Sequence, residues 1–450
     1  MSEERKHLFR LPIARIIKEI YEEKSLERRD IALHLDCVIR KIKLIEIQEN
    51  YHDVYSKEQA ESLVEFLGIK KVRLDEADFK QYKKCLYEWR KQINQGKLGS
   101  AAKILEEHSL HEITYLPFEH SLIMLYKMFD AKFAMAQRKY DLAEQILGKI
   151  EIRSLSRETR YHYYYNLGAL HIYNKSYDLA LKFFTKAYET GFVDEEDYQY
   201  ALHFNLGLCY SYLGMCLRAI VCYEKADLLF NRKDNNHLSM NLDNSLGIEY
   251  IRAGQIKLAK KRLSEVVLNA QACESKVYGR RAMNNLGYLN FKEKDYIRAL
   301  DYFDRALLLT EEGEEEYLLN LYYKVLCLIV TENFLARIEL SYAANIAKNN
   351  DNQYYLMLFK SLSHLLDLKK ETSSEYIESR FIPYLMNRHE YYRARDYYEI
   401  MKDFFEKNGN KAKAQEMKSS SDEIYIKIMQ GGGKYEKKID WPDFNLSYNN

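Results

Sequence analysis

Four copies of one short pattern set the architecture of this chain: Asn166-Leu167-Gly168, Asn205-Leu206-Gly207, Leu246-Gly247 preceded by Asn244, and Asn285-Leu286-Gly287, with the glycines 39, 40 and 40 residues apart. A fixed period of this length means stacked copies of one supersecondary unit, because a single unit cannot bury its own apolar face. The pattern extends beyond the glycine. Twelve residues later stands an alanine (Ala180, Ala219, Ala259, Ala299), four further on a large side chain (Phe184, Tyr223, Leu263, Phe303), and three further Ala187, Ala226, Val266 or Ala306. Small residues suit a close crossing of two helices, and the large one fills the groove of the next unit.

These positions match the tetratricopeptide pattern, two antiparallel helices per unit. Composition agrees: four prolines in 450 residues (Pro12, Pro117, Pro383, Pro442) leave long stretches free to be helical. The spacing predicts further helices at Tyr82 to Ile93 around Trp89, Ser100 to Glu107 and Phe118 to Ala136. Beyond residue 310 it predicts another unit at Ala336, Leu340 and Ala343 and a helical pair over Tyr391 to Met417, for seven to nine hairpins in all. Gly431-Gly432-Gly433 ends the pattern. We expect an all-α chain divided into an N-terminal domain at 1–72, a repeat domain at 73–428 forming a right-handed superhelix, and a flexible tail at 429–450.

Lys+Arg number 68 against 67 Asp+Glu, a net +1, so the whole molecule is no polyanion binder. The start of the chain differs, with eleven Lys/Arg and six Asp/Glu between residues 5 and 43. Ile13, Ile16, Ile17 and Ile20 share one helical face, and further short helices fit Leu26 to Leu35, Val38 to Ile47 and Lys57 to Leu67. Within them, Ala32-x-x-Leu35-Asp36-Cys37-x-x-x-x-Ile42-x-x-Ile45-Glu46 resembles the Cro/repressor helix-turn-helix. Asp36 stands where that class usually has glycine, and Val38-Ile39 where a serine cap and a polar base-reader are usual. The resemblance implies a recognition helix at Val38 to Ile47 with Ile39, Arg40, Lys41 and Lys43 toward DNA, and Arg28, Arg29 and His52 near phosphates. A helical bundle that binds no DNA fits the same segment.

The first helix of each unit lines the concave face, which places the residue before Leu-Gly in the groove. Asparagine is a poor mid-helix residue, so its recurrence at Asn166, Asn205 and Asn285, with Asn244 offset by one, calls for a compensating interaction. Its carboxamide matches the N–H and C=O of an extended backbone whatever that backbone's sequence. Tyr165, Tyr212, Arg252, Arg281 and Tyr288 fall on the same faces, the arginines suited to a carboxylate and the aromatics equally suited to core.

Seven scattered cysteines without C-x-x-C suggest buried, reduced thiols, and no apolar run reaches the length of a membrane span. We expect a cytoplasmic protein that does not engage the membrane. No P-loop, nucleophile-elbow or H-E-x-x-H motif occurs; His108 and His111 beside Glu107 and Glu112 fit a solvated loop better than a metal site. No catalytic residue and no cofactor is therefore expected.

Taken with the helix-turn-helix, the 40-residue repeats carrying groove asparagines resemble the RRNPP family, cytoplasmic receptors of secreted oligopeptide pheromones in low-GC Gram-positive bacteria and their phages. The resemblance implies a homodimeric transcriptional regulator whose binding to a double-stranded DNA operator, or whose oligomer arrangement, changes when a short imported peptide fills the groove. It implies groove roles for Asn166, Asn205 and Asn285, and for Asn244. Two alternatives remain: a response-regulator phosphatase of the same family, with Gln92 or Gln95 as the positioned glutamine, and a repeat scaffold that binds a protein tail without DNA.

Overall fold

The computed structural model describes residues 27, 29, 30, 33, 74, 76–115, 120–192, 196–229 and 236–429. Of the DNA-facing residues inferred above, only Arg29 lies among them, helical and exposed; Arg28, Ile39, Arg40, Lys41 and Lys43, and with them the recognition helix and the 72/73 boundary, lie outside the described residues. The chain divides into two compact units at Phe192/Val193.

All described elements are helical. In the first unit α1 (Glu76–Asn94) pairs with α2 (Leu98–Glu107), α3 (His120–Ala136) with α4 (Tyr140–Gly148), and α5 (Arg157–Tyr173) with α6 (Tyr177–Glu189). In the second unit the hairpins are α7 (Glu196–Tyr212) with α8 (Cys216–Leu229), α9 (Asn236–Arg252) with α10 (Ile256–Ala272), and α11 (Lys276–Lys292) with α12 (Tyr296–Leu307). Then come α13 (Glu315–Val330) with α14 (Ala336–Asn349), α15 (Gln353–Leu366) with the segment α16 (Glu371–Tyr376) to α17 (Ile382–Asn387), and α18 (Tyr391–Lys407) with α19 (Lys411–Met429). The α16 to α17 segment passes through a single π turn, Ile377–Phe381, just ahead of Pro383, whose missing N–H interrupts the α-helical ladder.

The repeat pattern translates directly into contacts. A Cβ added to Gly168 would stand 2.7 Å from Phe184, on Gly207 2.7 Å from Tyr223, on Gly247 2.5 Å from Leu263, and on Gly287 2.5 Å from Phe303. Each glycine therefore lets the ring or leucine sixteen residues later lie flat on the first helix, and those four side chains are fully buried or nearly so. The alanines and the valine of the pattern are buried beside them.

Turns within the hairpins repeat as well. Ser176 N–H donates to His171 O (2.9 Å), Met215 to Tyr210 (2.8 Å), Gln255 to Tyr250 (2.7 Å), Asp295 to Asn290 (2.9 Å) and Asn333 to Leu328 (2.8 Å). Each is a bond back over five residues that closes a helix end through one left-handed residue. That residue is glycine at Gly214 and Gly254 but Lys175, Lys294 and Glu332 elsewhere.

Trp89 is the anchor of the first unit's core, stacked on Tyr126 (5.6 Å) and edge-on to Phe133 (5.7 Å). Cysteines 209, 216, 222 and 327 are buried thiols and Cys85 is half-buried, whereas Cys273 at the end of α10 is exposed, contrary to the expectation of burial. No helix among the described residues is long and apolar enough to cross a membrane.

Candidate functional site

In the first unit, Asn166 is buried and its Nδ2 donates to the Met128 carbonyl at 2.7 Å, so this amide ties α5 to α3. Tyr165 beside it packs edge-on to Phe184 (5.5 Å) under the ammonium of Lys132, 5.0 Å from the ring centre.

In the second unit the amides pair across neighbouring first helices. Asn285 Nδ2 approaches Asn244 Oδ1 at 3.5 Å, and Asn284 Nδ2 donates to Asn320 Oδ1 at 2.6 Å. Asn320 in turn donates to Glu316 O at 2.9 Å. Asn244 is only 6% exposed, and among the described residues its Nδ2 has no acceptor. A buried amide donor of this kind costs free energy until something accepts from it. Asn205 is half-buried on α7, and Tyr212, at the end of that helix, is exposed.

Charged residues of the same faces are already engaged. Arg252 donates to buried Glu249 (2.6 Å) and to Ser211 (3.1 Å), and its guanidinium lies 4.7 Å over the Tyr392 ring. Burial opposes its charge, but Glu249 together with Tyr392, Tyr288 and Tyr323 more than offsets that and raises its pKa above the ordinary arginine value. Tyr288 donates to Asp396 Oδ2 (2.9 Å); burial, then the Asp396 carboxylate, holds its phenol well above the usual range. Lys292 bridges Asp396 and Glu399, 2.6 Å to each. Arg281 is half exposed and reaches Glu316 at 3.3 Å.

Helix α18 therefore crosses the inner layer: Tyr391 packs against Gly214, Tyr392 against Arg252, and Asp396 against Tyr288 and Lys292. A cavity of about 260 Å³ is left between them, lined by Arg252, Tyr288, Lys292, Tyr392, Arg395 and Tyr425 among others. Sequence reasoning expected a helical pair over Tyr391 to Met417 but missed the contacts α18 makes with Arg252, Tyr288 and Lys292, and missed the Asn284–Asn320 pair. The spacing of Tyr392, Asp396 and Glu399 on one helical face was the available signal, but nothing local names a partner about a hundred residues away. Of the two glutamines considered for phosphatase chemistry, Gln92 donates to Glu88 (2.7 Å) on an exposed face and Gln95 lies just past the end of α1. Among the described residues no group of three or more His, Cys, Asp or Glu is placed to hold a metal ion.

What the fold and these faces define is a tetratricopeptide array whose inner helices carry carboxamides, guanidinium groups and aromatic rings. No family model matches the chain. It is 25% identical over 377 residues to the transcriptional activator NprA of Geobacillus stearothermophilus, covering 80% of this chain and 91% of that protein. The fold is similar to the apo quorum sensor NprR from B. thuringiensis (TM-score 0.61, 18% identity, 77% of this chain and 99% of that one). It is also similar to NprR with its cognate peptide NprX (TM-score 0.57, 20% identity, 77% and 98%). A Rap protein complexed with Competence and Sporulation Factor matches with TM-score 0.65 at 15% identity, over 78% of this chain and 99% of that one. The chain has the all-helical tetratricopeptide-repeat fold of these proteins.

Proposed function

We propose that this chain is a peptide-responsive transcriptional regulator, not an enzyme: a short signalling peptide binds the inner face of the repeats and changes how the N-terminal segment engages DNA. The observation that carries the reading is the likeness to NprA, a transcriptional activator, over four-fifths of the chain, together with the likeness to NprR in complex with a peptide. The inner-face chemistry supports it. Among the described residues the buried Asn244 Nδ2 has no acceptor, and Asn205 and Asn285 stand on the first helices of the repeats on either side. An extended peptide of roughly five to ten residues would be held by such amides through its backbone, with the exposed Tyr212 and Arg281 selecting side chains.

In this reading the protein acts as a homodimer in the cytoplasm on an imported peptide, and Arg40, Lys41 and Lys43 meet an operator. The groove and the reading heads are then coupled, and the coupling is reciprocal: if peptide changes operator affinity some 5- to 150-fold, about 1–3 kcal/mol, operator changes peptide affinity by the same factor. Mass spectrometry of peptide co-purified with the protein supplies the ligand. Titrating that peptide with and without genomic operator fragments supplies the coupling. Equal peptide affinities in both arms refute control of DNA by the groove, and unchanged operator affinity in Arg40→Ala/Lys43→Ala refutes the recognition helix. Dephosphorylation of a phosphorylated response regulator, with no DNA binding, would replace this reading by the phosphatase one.

A further inference from the structure

The cavity between α9, α11 and the hairpin of α18 and α19 lies wholly in the second unit and holds about 260 Å³. Arg252 ends α9, Lys292 ends α11, and α18 brings Arg395 and Asp396. Three cations thus share the wall with one carboxylate, while Glu249 and Glu399 serve from behind it as partners of Arg252, Lys292 and Arg395. With those two counted the charges balance, but the hydrogen bonds do not. Asp396 has Oδ1 taken by Lys292 and Oδ2 by Tyr288, and Glu399 has one oxygen on Lys292 and the other on Arg395. Donors are left over. Among the described residues Arg252 serves both Glu249 and Ser211 through Nη1, and the buried Arg395 Nε has no acceptor. A guanidinium N–H buried without an acceptor costs free energy, so what enters this cavity must bring oxygens.

The remaining walls are apolar or aromatic: Ile251, Ile256, Tyr392 and Tyr425, the last with the Arg395 guanidinium 4.5 Å over its ring. Solvent reaches the cations, since the side chains of Arg252, Lys292 and Arg395 are 25%, 21% and 26% exposed. Burial opposes the charge of Lys292, but Asp396 and Glu399 outweigh it and hold the pKa above the ordinary lysine value, so the ammonium persists at neutral pH. A cavity of about 150 Å³ already takes a benzene ring, so this one admits a ring that carries a carboxylate. Its position is also informative. Ile251 and Lys292 stand seven residues beyond Asn244 and Asn285 on the same helices. That is two turns along one face, about 10 Å, which an extended chain covers in about three residues.

We propose that this cavity is a carboxylate subsite two turns from the asparagines, with Arg395 and Lys292 as donors and Tyr392 and Tyr425 as walls, and that it takes the C-terminal carboxylate or an acidic side chain of the bound peptide. The peptide as the source rests on the function proposed above; the carboxylate chemistry rests on the cavity. Two acceptor oxygens on one planar group suit a guanidinium with a free N–H edge beside an ammonium.

The test titrates the full chain with para-fluorobenzoate followed by fluorine NMR, with the neutral para-fluorobenzamide as control. Saturable binding of the benzoate is expected, at least about 10-fold tighter than that of the amide; equal binding of the two overturns the proposal. Arg395→Met is expected to weaken the benzoate about 10- to 100-fold and Arg395→Lys to keep most of the affinity. Ile256→Trp fills the cavity from the α10 side with the cations left in place, and is expected to abolish binding. Parental affinity in both Arg395→Met and Ile256→Trp overturns the site. Degenerate heptapeptide pools with free and with amidated C-termini, selected on parent, Arg395→Lys and Arg395→Met protein, then identify the source. Enriched acidic side chains in both pools mark a side chain, and retention of the free-terminus pool alone marks the C-terminus; either preference is expected to persist in Arg395→Lys and vanish in Arg395→Met. The same preference on all three proteins overturns the subsite and leaves peptide binding standing. Pools retained by none of them, with benzoate binding still dependent on Arg395, leave a site for a free small carboxylate and remove the peptide reading.

Discussion

Two glycines of one helix allow the packing account to be tested against helix propensity alone. Gly287 and Gly279 both lie within α11. A Cβ on Gly287 would stand 2.5 Å from Phe303 Cε1 and 2.8 Å from Cδ1 and Cζ. Carbon contacts settle near 3.5–4.0 Å, so the ring must retreat by about 1 Å. Phe303 is fully buried and has nowhere to go. Overpacking of this kind costs about 1–3 kcal/mol, and three clashing ring atoms place it at the upper end; Gly→Ala returns about 1 kcal/mol of helix propensity. The net expectation for Gly287→Ala is a loss of about 2 kcal/mol. At Gly279 the nearest atoms are Ala270 Cβ at 3.7 Å and Leu309 Cδ1 at 3.8 Å, ordinary contacts. Gly279→Ala should therefore stabilise by about 0.5–1 kcal/mol. Urea unfolding followed by far-ultraviolet circular dichroism, with both variants read against the parent midpoint at unchanged slope, measures the two shifts. Opposite signs are expected. If both midpoints move upward, the sixteen-residue glycine-to-ring contact is not what the repeat pattern encodes.

Asp396→Ala removes the acceptor of Tyr288 and one of two partners of Lys292 in a buried cluster, and should cost about 3 kcal/mol and loosen α18 from the inner layer; a loss below about 0.5 kcal/mol in thermal unfolding would mean the cluster is solvated. Lys132 gives a pH dependence with a defined sign. The unfolded side chain keeps its proton to about pH 10.4, whereas the folded one releases it near about 7. Between those values the unfolded state binds more protons, so stability should rise from pH 7 to 9, and the rise should shrink in Lys132→Met. An unchanged slope in that variant contradicts the burial of a charged Lys132. In the groove, Asn205→Ala and Asn285→Ala should each weaken binding of the co-purified peptide by about 1–3 kcal/mol in calorimetry. Parental affinity in both would make the asparagines structural.

Much of the fold was legible because its rule is local. The distance from Gly168 to Phe184, repeated at Gly207, Gly247 and Gly287, is a contact within one hairpin, and a spacing in the sequence becomes a spacing in space wherever both ends lie on regular helices. The same locality places α18 and α19 over the expected pair at Tyr391 to Met417. Side-chain identity was less legible. Lys175, Lys294 and Glu332 occupy left-handed turn positions that glycine fills at Gly214 and Gly254, because the surrounding bonds fix the turn whatever residue stands there.

By itself the sequence determined the all-α class, the period of the repeat and the helix positions that carry the asparagines, whereas it assigned the large residue to the groove of the next unit and the structure lays it on the glycine of its own hairpin. Only the tertiary structure decided which groups meet across helices. It pairs Asn285 with Asn244 and Asn284 with Asn320, sets Arg90 beside His162, and lays α18 with Asp396 onto Tyr288 and Lys292. The physical reason is that a period fixes contacts between residues a constant distance apart, while charge pairing and desolvation depend on side chains from helices up to a hundred residues apart. Their partners are chosen by how the stacked hairpins pack and not by any spacing along the chain.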